Sequence, residues 1–406
     1  MHDIKTVTVV GAGLAGHASA RALRRQGFDG SITIVGDESH RPYDRPPLTK
    51  EYLAGAIDEE ELSLEAEGED LGAAWILGTP AIDLDPAQRA VTLADGTTLR
   101  SDVVILATGS SARTFPWLPP GAHVLRTLEE ANALKSELVP GAHLVVVGSG
   151  FIGLEVASTA RGLGLDVTVL GSSDTLLGRT LGPVVGVAVQ ELQHSHGIVI
   201  RNNAPVTAIR GTERVTGVEL LSGEIVPADV VVVGIGSIPA VDWLAGSGLD
   251  LPDGVACGEF GATDAPGVIA VGDCCAWFDP IRGRHHRVAH WTDSRERPVA
   301  AIHALLTGQR PARPLRPSYV WSDQCGSRIQ FAGRLLGSEE ATTEAGSLET
   351  GDLFQVFRRA GEPVAVVGIN QQHLVATWTK RLAAAAAQTA TAAAAQPEHV
   401  PERTLA

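Results

Sequence analysis

Cysteine is scarce in this sequence. The 406 residues include four, at positions 257, 274, 275 and 325, and their spacing makes neither a metal-ligand set nor a C-x-x-C redox motif. Adjacent Cys274 and Cys275 are poorly placed to open and close as a dithiol, so they read as small buried apolar side chains. A thiol relay carrying electrons to a disulfide is thereby disfavoured. Positive charge is short as well. With 32 Lys and Arg against 47 Asp and Glu, the net charge is −15, which argues against a broad nucleic-acid surface. Two local arginine groups stand out, Arg310, Arg313 and Arg316, and Arg282, Arg284 and Arg287. Each is either a docking patch or a scatter of solvated side chains. Long apolar runs are missing too: residues 138–157 are largely uncharged but contain a glycine turn and Glu155, and read as buried strand and helix rather than as a membrane span. Asp3 and Lys5 stand close to the first strand with no secretory segment, so the expected location is cytoplasmic.

What is present is apolar strand and glycine turn. A chain of this length supports two or three domains, and 44% hydrophobic residues with a mean hydropathy of +0.10 fit an α/β protein whose strands are buried on both faces. Two glycine fingerprints each follow a valine-rich strand. GAGLAG at 11–16, after TVTVV, contributes Gly11, Gly13 and Gly16; GSGFIG at 148–153, after HLVVVG, contributes Gly148, Gly150 and Gly153. In each, a strand ends, a glycine turn lets the backbone approach a pyrophosphate, and the next helix offers free N–H groups at its positive end. Two such units in one chain point to electron traffic between two nucleotides.

The acid expected about 20 residues further on separates the two units. After the first, SITIVGDE places Asp37 and Glu38 just past a strand end, where a carboxylate can accept adenosine ribose hydroxyls. After the second, DVTVLGSSD ends in Gly171, Ser172 and Ser173, and Asp174 comes late. No arginine immediately follows that strand to welcome a 2′-phosphate, so the choice between NADH and NADPH is weakly specified.

Each fingerprint is followed by a hairpin pattern and a buried strand: VVILATG at 103–109 in the first unit, VVVVGIG at 230–236 in the second. The repetition predicts an α/β fold with the second nucleotide-binding domain, 113–243, inserted into a discontinuous first domain, 1–112 and 244–317. On the return, the strand VIAVG delivers Asp273 to its carboxyl end, where ligand contacts concentrate in open α/β sheets. A helix is expected from about Arg295 to Leu306, with Pro298 in its opening turn or disturbing it. Pro311, Pro314 and Pro317 mark a boundary. Beyond it, FQVF and EPVAVVGI predict antiparallel strands of a third, smaller α+β domain over 318–382, with a flexible tail over 383–406.

Taken together, RPYDRPPLTKEYL at 41–53, ATG at 107–109, VGD at 271–273 and YVWSDQ at 319–324 strongly resemble the FAD-dependent ferredoxin reductases that feed Rieske dioxygenases and haem monooxygenases, relatives of rubredoxin reductase and apoptosis-inducing factor. The resemblance covers roughly residues 4–380. It implies a glutathione-reductase-like fold of two Rossmann-type domains and a carboxyl-terminal domain, with FAD and NAD(P)H, leaning to NADH, as cofactors. The implied acceptor is a small iron-sulfur ferredoxin of the 2Fe–2S kind, with an oxygenase as indirect partner.

The resemblance also implies roles for residues. FAD is held through the first fingerprint with Ala15, by Asp37 at the ribose, by Arg45 and Lys50 near the phosphate and flavin, and by Asp273 with Gly272; Pro47 shapes the flavin wall. Ala107, Thr108, Gly109 and Arg113 are further cofactor contacts. Gly148, Gly150 and Gly153 with Phe151, Ile152 and Gly236 take the pyridine nucleotide, and Glu155 stands near its nicotinamide end. Trp291 and Trp321 flank the redox centre, with Gln324 beside it. Lys50, Glu155 and Trp321 are the catalytic candidates; Lys50 can stabilise negative charge on reduced flavin and pair with Glu155. Three positions depart from the family pattern: Gly171 replaces a glutamate, Ala289 an acid, and Ala240 follows Ile-Pro where the family often has Arg-Pro-Asn. A flavin NAD(P)H oxidase and a redox-sensing interaction protein are the competing functions.

Overall fold

The structure, a computed structural model, describes residues 4–279, 283–312, 315–347 and 350–394. Arg282, Arg313, Pro314 and residues 395–406 lie outside the described residues; the first part of the flexible tail expected over 383–406 is helical instead, since 383–394 continue the last helix.

Two parallel five-stranded sheets form the frame. The first runs Val268–Ala270, Val103–Leu106, Thr6–Val10, Ser31–Val35, Ala73–Ile76; the second runs Val199–Arg201, Asp166–Leu170, His143–Val147, Val230–Val233, Ala122–His123. Each central strand feeds a glycine turn and a helix, Leu14–Arg25 or Phe151–Gly162. Each unit also carries a three-stranded antiparallel sheet, at 81–100 and 206–227. The strands are apolar because both faces are covered. Along His143–Val147, Leu144 and Val146 enter one core while Val145 and Val147 enter another, the period of two that a strand imposes.

The chain passes between the two units on paired strands: Ser110–Ala112 leaves and Ser237–Pro239 returns, antiparallel. Arg287 ties the return to the first unit, its guanidinium donating to the Ser237 hydroxyl (3.1 Å) and carbonyl (3.2 Å). The helix expected from Arg295 begins at Trp291 and runs to Thr307, so Pro298 is its eighth residue and lies inside it, not in the opening turn. Proline removes the helical bond to the Ser294 carbonyl; the amino-terminal turns are anchored instead by side chains, Trp291 Nε1 to Asp44 (2.6 Å) and Arg297 to Asp293 (2.8 Å). The arginine groups are balanced by acids: Arg310 pairs with Glu259, Arg316 with Glu296 and Arg287 with Asp253.

A third sheet, entirely antiparallel, runs Tyr319–Gln324, Ser327–Gly333, Glu362–Ile369, Leu353–Arg359, Glu340–Gly346 and is backed by the helix Gln372–Ala394. Its other face does not stand alone. Ile329, Phe331, Phe357 and Ile369 share one buried cluster with Leu48 and Tyr52 of the first unit and with Val146, Leu154 and Val232 of the second. This common core fixes the three domains around one cavity. Among the described residues no helix is long and apolar enough to cross a membrane.

Both glycine turns are built the same way. Gly11 has φ +116°, and a Cβ there would lie 2.1 Å from the Ala107 carbonyl oxygen; Gly148 has φ +110°, with the Gly234 carbonyl oxygen at 2.2 Å. Alanine at either site combines a strained backbone with a clash against a neighbouring strand end. We expect Gly11→Ala and Gly148→Ala each to cost about 2 kcal/mol or more, read as a fall in thermal midpoint. Gly162→Ala, in a helix with open space around it, should be neutral or stabilising by about 0.5–1 kcal/mol.

Candidate flavin and nicotinamide site

The cavity, of about 430 Å³, lies at the carboxyl ends of both parallel sheets, where dinucleotides bind in open α/β folds. Of the candidates from sequence, Gly11, Gly13, Ala15, Asp37, Arg45, Lys50, Ala107, Thr108, Gly109, Gly150, Phe151, Ile152, Glu155, Gly236, Asp273, Trp291 and Trp321 all line it. Gly16, Gly148, Gly153 and Gly272 do not; they are places where backbones or side chains meet too closely for a Cβ, at 1.9 Å from Gly11 O for Gly16 and 2.6 Å from the Ala15 methyl for Gly272. Pro47 also stands behind the wall. It lies in the short 3₁₀ turn Pro46–Thr49 and its carbonyl accepts the Lys50 N–H, so it sets the backbone that presents Lys50. Arg113 does not reach the cavity: it is exposed, and its N–H donates to the Gly236 carbonyl at the domain crossing.

The first half of the cavity suits an adenine dinucleotide. The Leu14–Arg25 helix opens onto it with Gly13 at its cap and no acid in the first turn, leaving free N–H groups for a pyrophosphate. The Arg45 guanidinium lies 4.0 Å from the point a Gly13 Cβ would occupy, a cation against the same turn. Glu38 is taken up by Arg45 and by the Tyr43 hydroxyl, which leaves Asp37, exposed, as the carboxylate that faces the cavity at this strand end. Burial pushes the Tyr43 phenol above its ordinary pKa, with the Glu38 carboxylate adding to the shift, so it stays a neutral donor.

Asp273 is buried beneath the middle of the cavity. It accepts from Arg126 Nη2 (2.8 Å), Ser294 Oγ (2.8 Å) and Ser110 Oγ (3.3 Å). Burial alone would raise its pKa, but the Arg126 charge and the Ser294 hydroxyl outweigh it and hold the carboxyl below the usual range. Arg126 escapes sequence reading: it sits in a loop before the capped helix Leu128–Glu137, and no motif surrounds it. Its guanidinium also donates to the Ser110 carbonyl, at 3.0 Å.

At the other end, Lys50 Nζ meets Glu155 Oε2 at 3.0 Å, both largely buried. Glu155 also accepts from Thr49 Oγ1 (2.5 Å) and from Ser322 Oγ (2.7 Å). Behind Ser322 the chain of donors continues: Gln193 Nε2 gives to Gln324 Oε1 (2.9 Å), and Gln324 Nε2 to Ser322 Oγ (2.9 Å). Every bond points toward the carboxylate, an arrangement in which each donor polarises the next. Thr49 and Ser322 lie inside PPLTK and WSDQ but carry no signal of their own; Gln193, on the helix Pro183–Ser195, is 131 residues from its partner. Trp321 stacks on Tyr319 and meets Trp291 edge-on, with centroids 6.2 and 5.5 Å apart.

The chain matches the pyridine nucleotide-disulphide oxidoreductase family over residues 5–304 and a reductase C-terminal family over residues 319–405. The chain belongs to the pyridine nucleotide-disulphide oxidoreductase family. It is 37% identical to rhodocoxin reductase of Rhodococcus erythropolis, over 87% of this chain and 83% of that one. It is 36% identical to the ferredoxin–NAD(+) reductase component of the biphenyl dioxygenase system of Paraburkholderia xenovorans, over 92% of each. Among solved structures it superposes on a covalent putidaredoxin reductase–putidaredoxin complex with a TM-score of 0.89 and 31% identity, over 93% of each chain. Membership of this oxidoreductase family brings FAD binding and reduction by NAD(P)H, and the cavity described above fits both groups. The disulphide chemistry in the family's name has no counterpart in this site: Cys257, Cys274 and Cys275 are buried as free thiols, and no cysteine is among the described residues lining the cavity.

Two outcomes follow from the buried polar groups. Arg126→Leu leaves Asp273 charged and unpaired at neutral pH, costing about 3 kcal/mol. A depressed carboxyl stabilises the fold above its unfolded pKa, near 4, and that contribution is lost as pH falls through the folded value; without Arg126 burial raises the carboxyl, so the gap between variant and wild-type denaturation midpoints narrows as pH falls from the variant's raised value through the wild type's depressed one. Gln193→Leu strands the Gln324 carbonyl oxygen and should cost about 1–3 kcal/mol. Adding Gln324→Leu should cost less than the sum of the two singles, measured by a double-mutant cycle.

Proposed function

We propose that this protein is an NAD(P)H:ferredoxin oxidoreductase that accepts a hydride onto FAD and delivers electrons singly to a small iron-sulfur ferredoxin serving an oxygenase. The observation that carries the proposal is the meeting of a flavin-type turn, Gly11–Ala15 with Asp37, and a nicotinamide-type turn, Gly150–Ile152, on one cavity with no cysteine among the described residues that line it. Electrons entering there have no dithiol to pass through. The relatives named for rhodocoxin, biphenyl dioxygenase and putidaredoxin systems support a ferredoxin-type acceptor. A 2Fe–2S centre in that acceptor and a cytoplasmic setting belong to the same reading.

FAD supplies the chemistry of taking two electrons as hydride and releasing them one at a time. The chain's own residues supply position and charge. The Lys50 ammonium, held against Glu155, faces the cavity as a fixed positive charge that favours negative charge opposite it. Trp321 and Trp291 form an aromatic wall that keeps water from that end. Glu155 orients Lys50 and takes no proton, since hydride transfer needs no side-chain base.

The test is anaerobic stopped-flow reduction by NADH and NADPH, followed by turnover with a 2Fe–2S ferredoxin in air. Rapid saturable bleaching and ferredoxin reduction well ahead of oxygen consumption are expected. Oxygen consumption that matches NAD(P)H oxidation with ferredoxin present would make the protein an oxidase instead, and bleaching that is slow with both nucleotides would favour a redox-sensing interaction protein. Lys50→Met should slow bleaching by about 10²-fold, on the scale of losing one preorganised charge, with FAD retained.

A further inference from the structure

The two nucleotide units can be aligned on their own hydrogen bonds. Gly11 N–H donates to the Val35 carbonyl at 2.7 Å in the first, and Gly148 N–H to the Leu170 carbonyl at 2.9 Å in the second. Leu170 thus corresponds to Val35, Gly171 to Gly36, and Ser172 to Asp37. The neighbours agree: a Cβ on Gly36 would meet the Ala12 methyl at 2.6 Å, and one on Gly171 would meet Cβ of Ser149, the residue matching Ala12, at 3.2 Å. An exposed serine therefore occupies the place that the Asp37 carboxylate holds in the first unit.

Near that serine stand one arginine and two acids, one of them paired with the arginine. Asp174 comes two residues beyond it, after the loop has been pinned by Ala204 N–H to the Gly171 carbonyl and by Asn203 N–H to the Ser173 carbonyl. On the adjoining strand, Arg201 lies in register with Leu170. Its guanidinium is held by Glu224 in a bidentate pair, Nη1 to Oε1 at 2.7 Å and Nη2 to Oε2 at 2.6 Å. Arg201 is 34% and Glu224 52% exposed, and an exposed ion pair holds its arginine only weakly. The strand tip thus carries no carboxylate to repel a 2′-phosphate, and an arginine beside it that can be drawn off its partner by a dianion.

We propose that Ser172 and Arg201 make the adenosine end of the second site tolerant of a 2′-phosphate, so that this protein binds NADP(H) and NAD(H) with similar affinity. The inference rests on the nicotinamide-dependent reading above and specifies its substrate. Equilibrium calorimetry of the FAD-loaded protein with NAD⁺ and with NADP⁺ tests it without turnover. Dissociation constants within about tenfold of each other are expected. Ser172→Asp should weaken NADP⁺ by about tenfold or more through like-charge repulsion while leaving NAD⁺ unchanged or tighter. Glu224→Gln, which frees Arg201, should tighten NADP⁺ several-fold at low salt and leave NAD⁺ unmoved. A wild-type preference for NAD⁺ of about a hundredfold or more, or a Ser172→Asp variant with an unaltered ratio, overturns the inference and leaves the oxidoreductase reading standing. Binding of neither nucleotide at about 1 mM, the upper end of ordinary substrate affinities, overturns both.

Discussion

A buried carboxylate governs this molecule. Glu155 sits on the first turns of the second glycine helix, 6% exposed, where an ionised group is costly unless opposite charge and hydrogen bonds surround it. Its donors come from two places in the chain, Lys50 and Thr49 in the first unit and Ser322 in the terminal sheet, with Gln324 and, from the second unit, Gln193 behind. No single domain can satisfy it. The arrangement that makes Glu155 tolerable is therefore the arrangement that sets Lys50 on the cavity wall, so domain packing and site geometry are one constraint. The apolar cluster shared by all three domains supplies the driving force; the polar chain fixes the relative position.

A second buried carboxylate, Asp273, ties the strand crossing to the middle of the cavity. Asp273 is held by Arg126, which also donates to the Ser110 carbonyl on the outgoing strand, while the Thr108 hydroxyl donates to Ala240 on the return, at 2.7 Å. Ala240 lacks the polar side chain that the family pattern has there, yet its backbone still completes the crossing. Ala289 lies on the cavity wall without an acid, beside Trp291, whose indole is fixed by Asp44. Losing these landmarks removes side-chain contacts and leaves the frame intact.

Much of the architecture was visible in the residues. Paired strands and glycine turns announce themselves because a buried strand demands β-branched residues on both faces and a tight pyrophosphate turn demands glycine. The motifs PYDRPPLTK and WSDQ marked Lys50 and Trp321. Local pattern failed where local pattern does not decide: the helix expected from Arg295 starts at Trp291, because its first turns are anchored by tertiary partners that outweigh an internal proline. Pro47 and Arg113 belong to segments that shape the site, yet they act through backbone from behind it.

The sequence by itself determined that there are two glycine-turn units on parallel strands, that its four cysteines form no C-x-x-C pair, and that the second unit lacks a carboxylate at its strand tip. Each of these is written in short windows whose chemistry allows few alternatives. Only the tertiary structure decided that Arg126 faces Asp273, that Gln193 reaches Gln324, and that Arg201 stands beside the serine tip. These pairs lie 147, 131 and 29 positions apart in the chain, and nothing local to either partner encodes the other; the packing of one domain against the next joins the first two, and strand pairing within the second sheet sets the third.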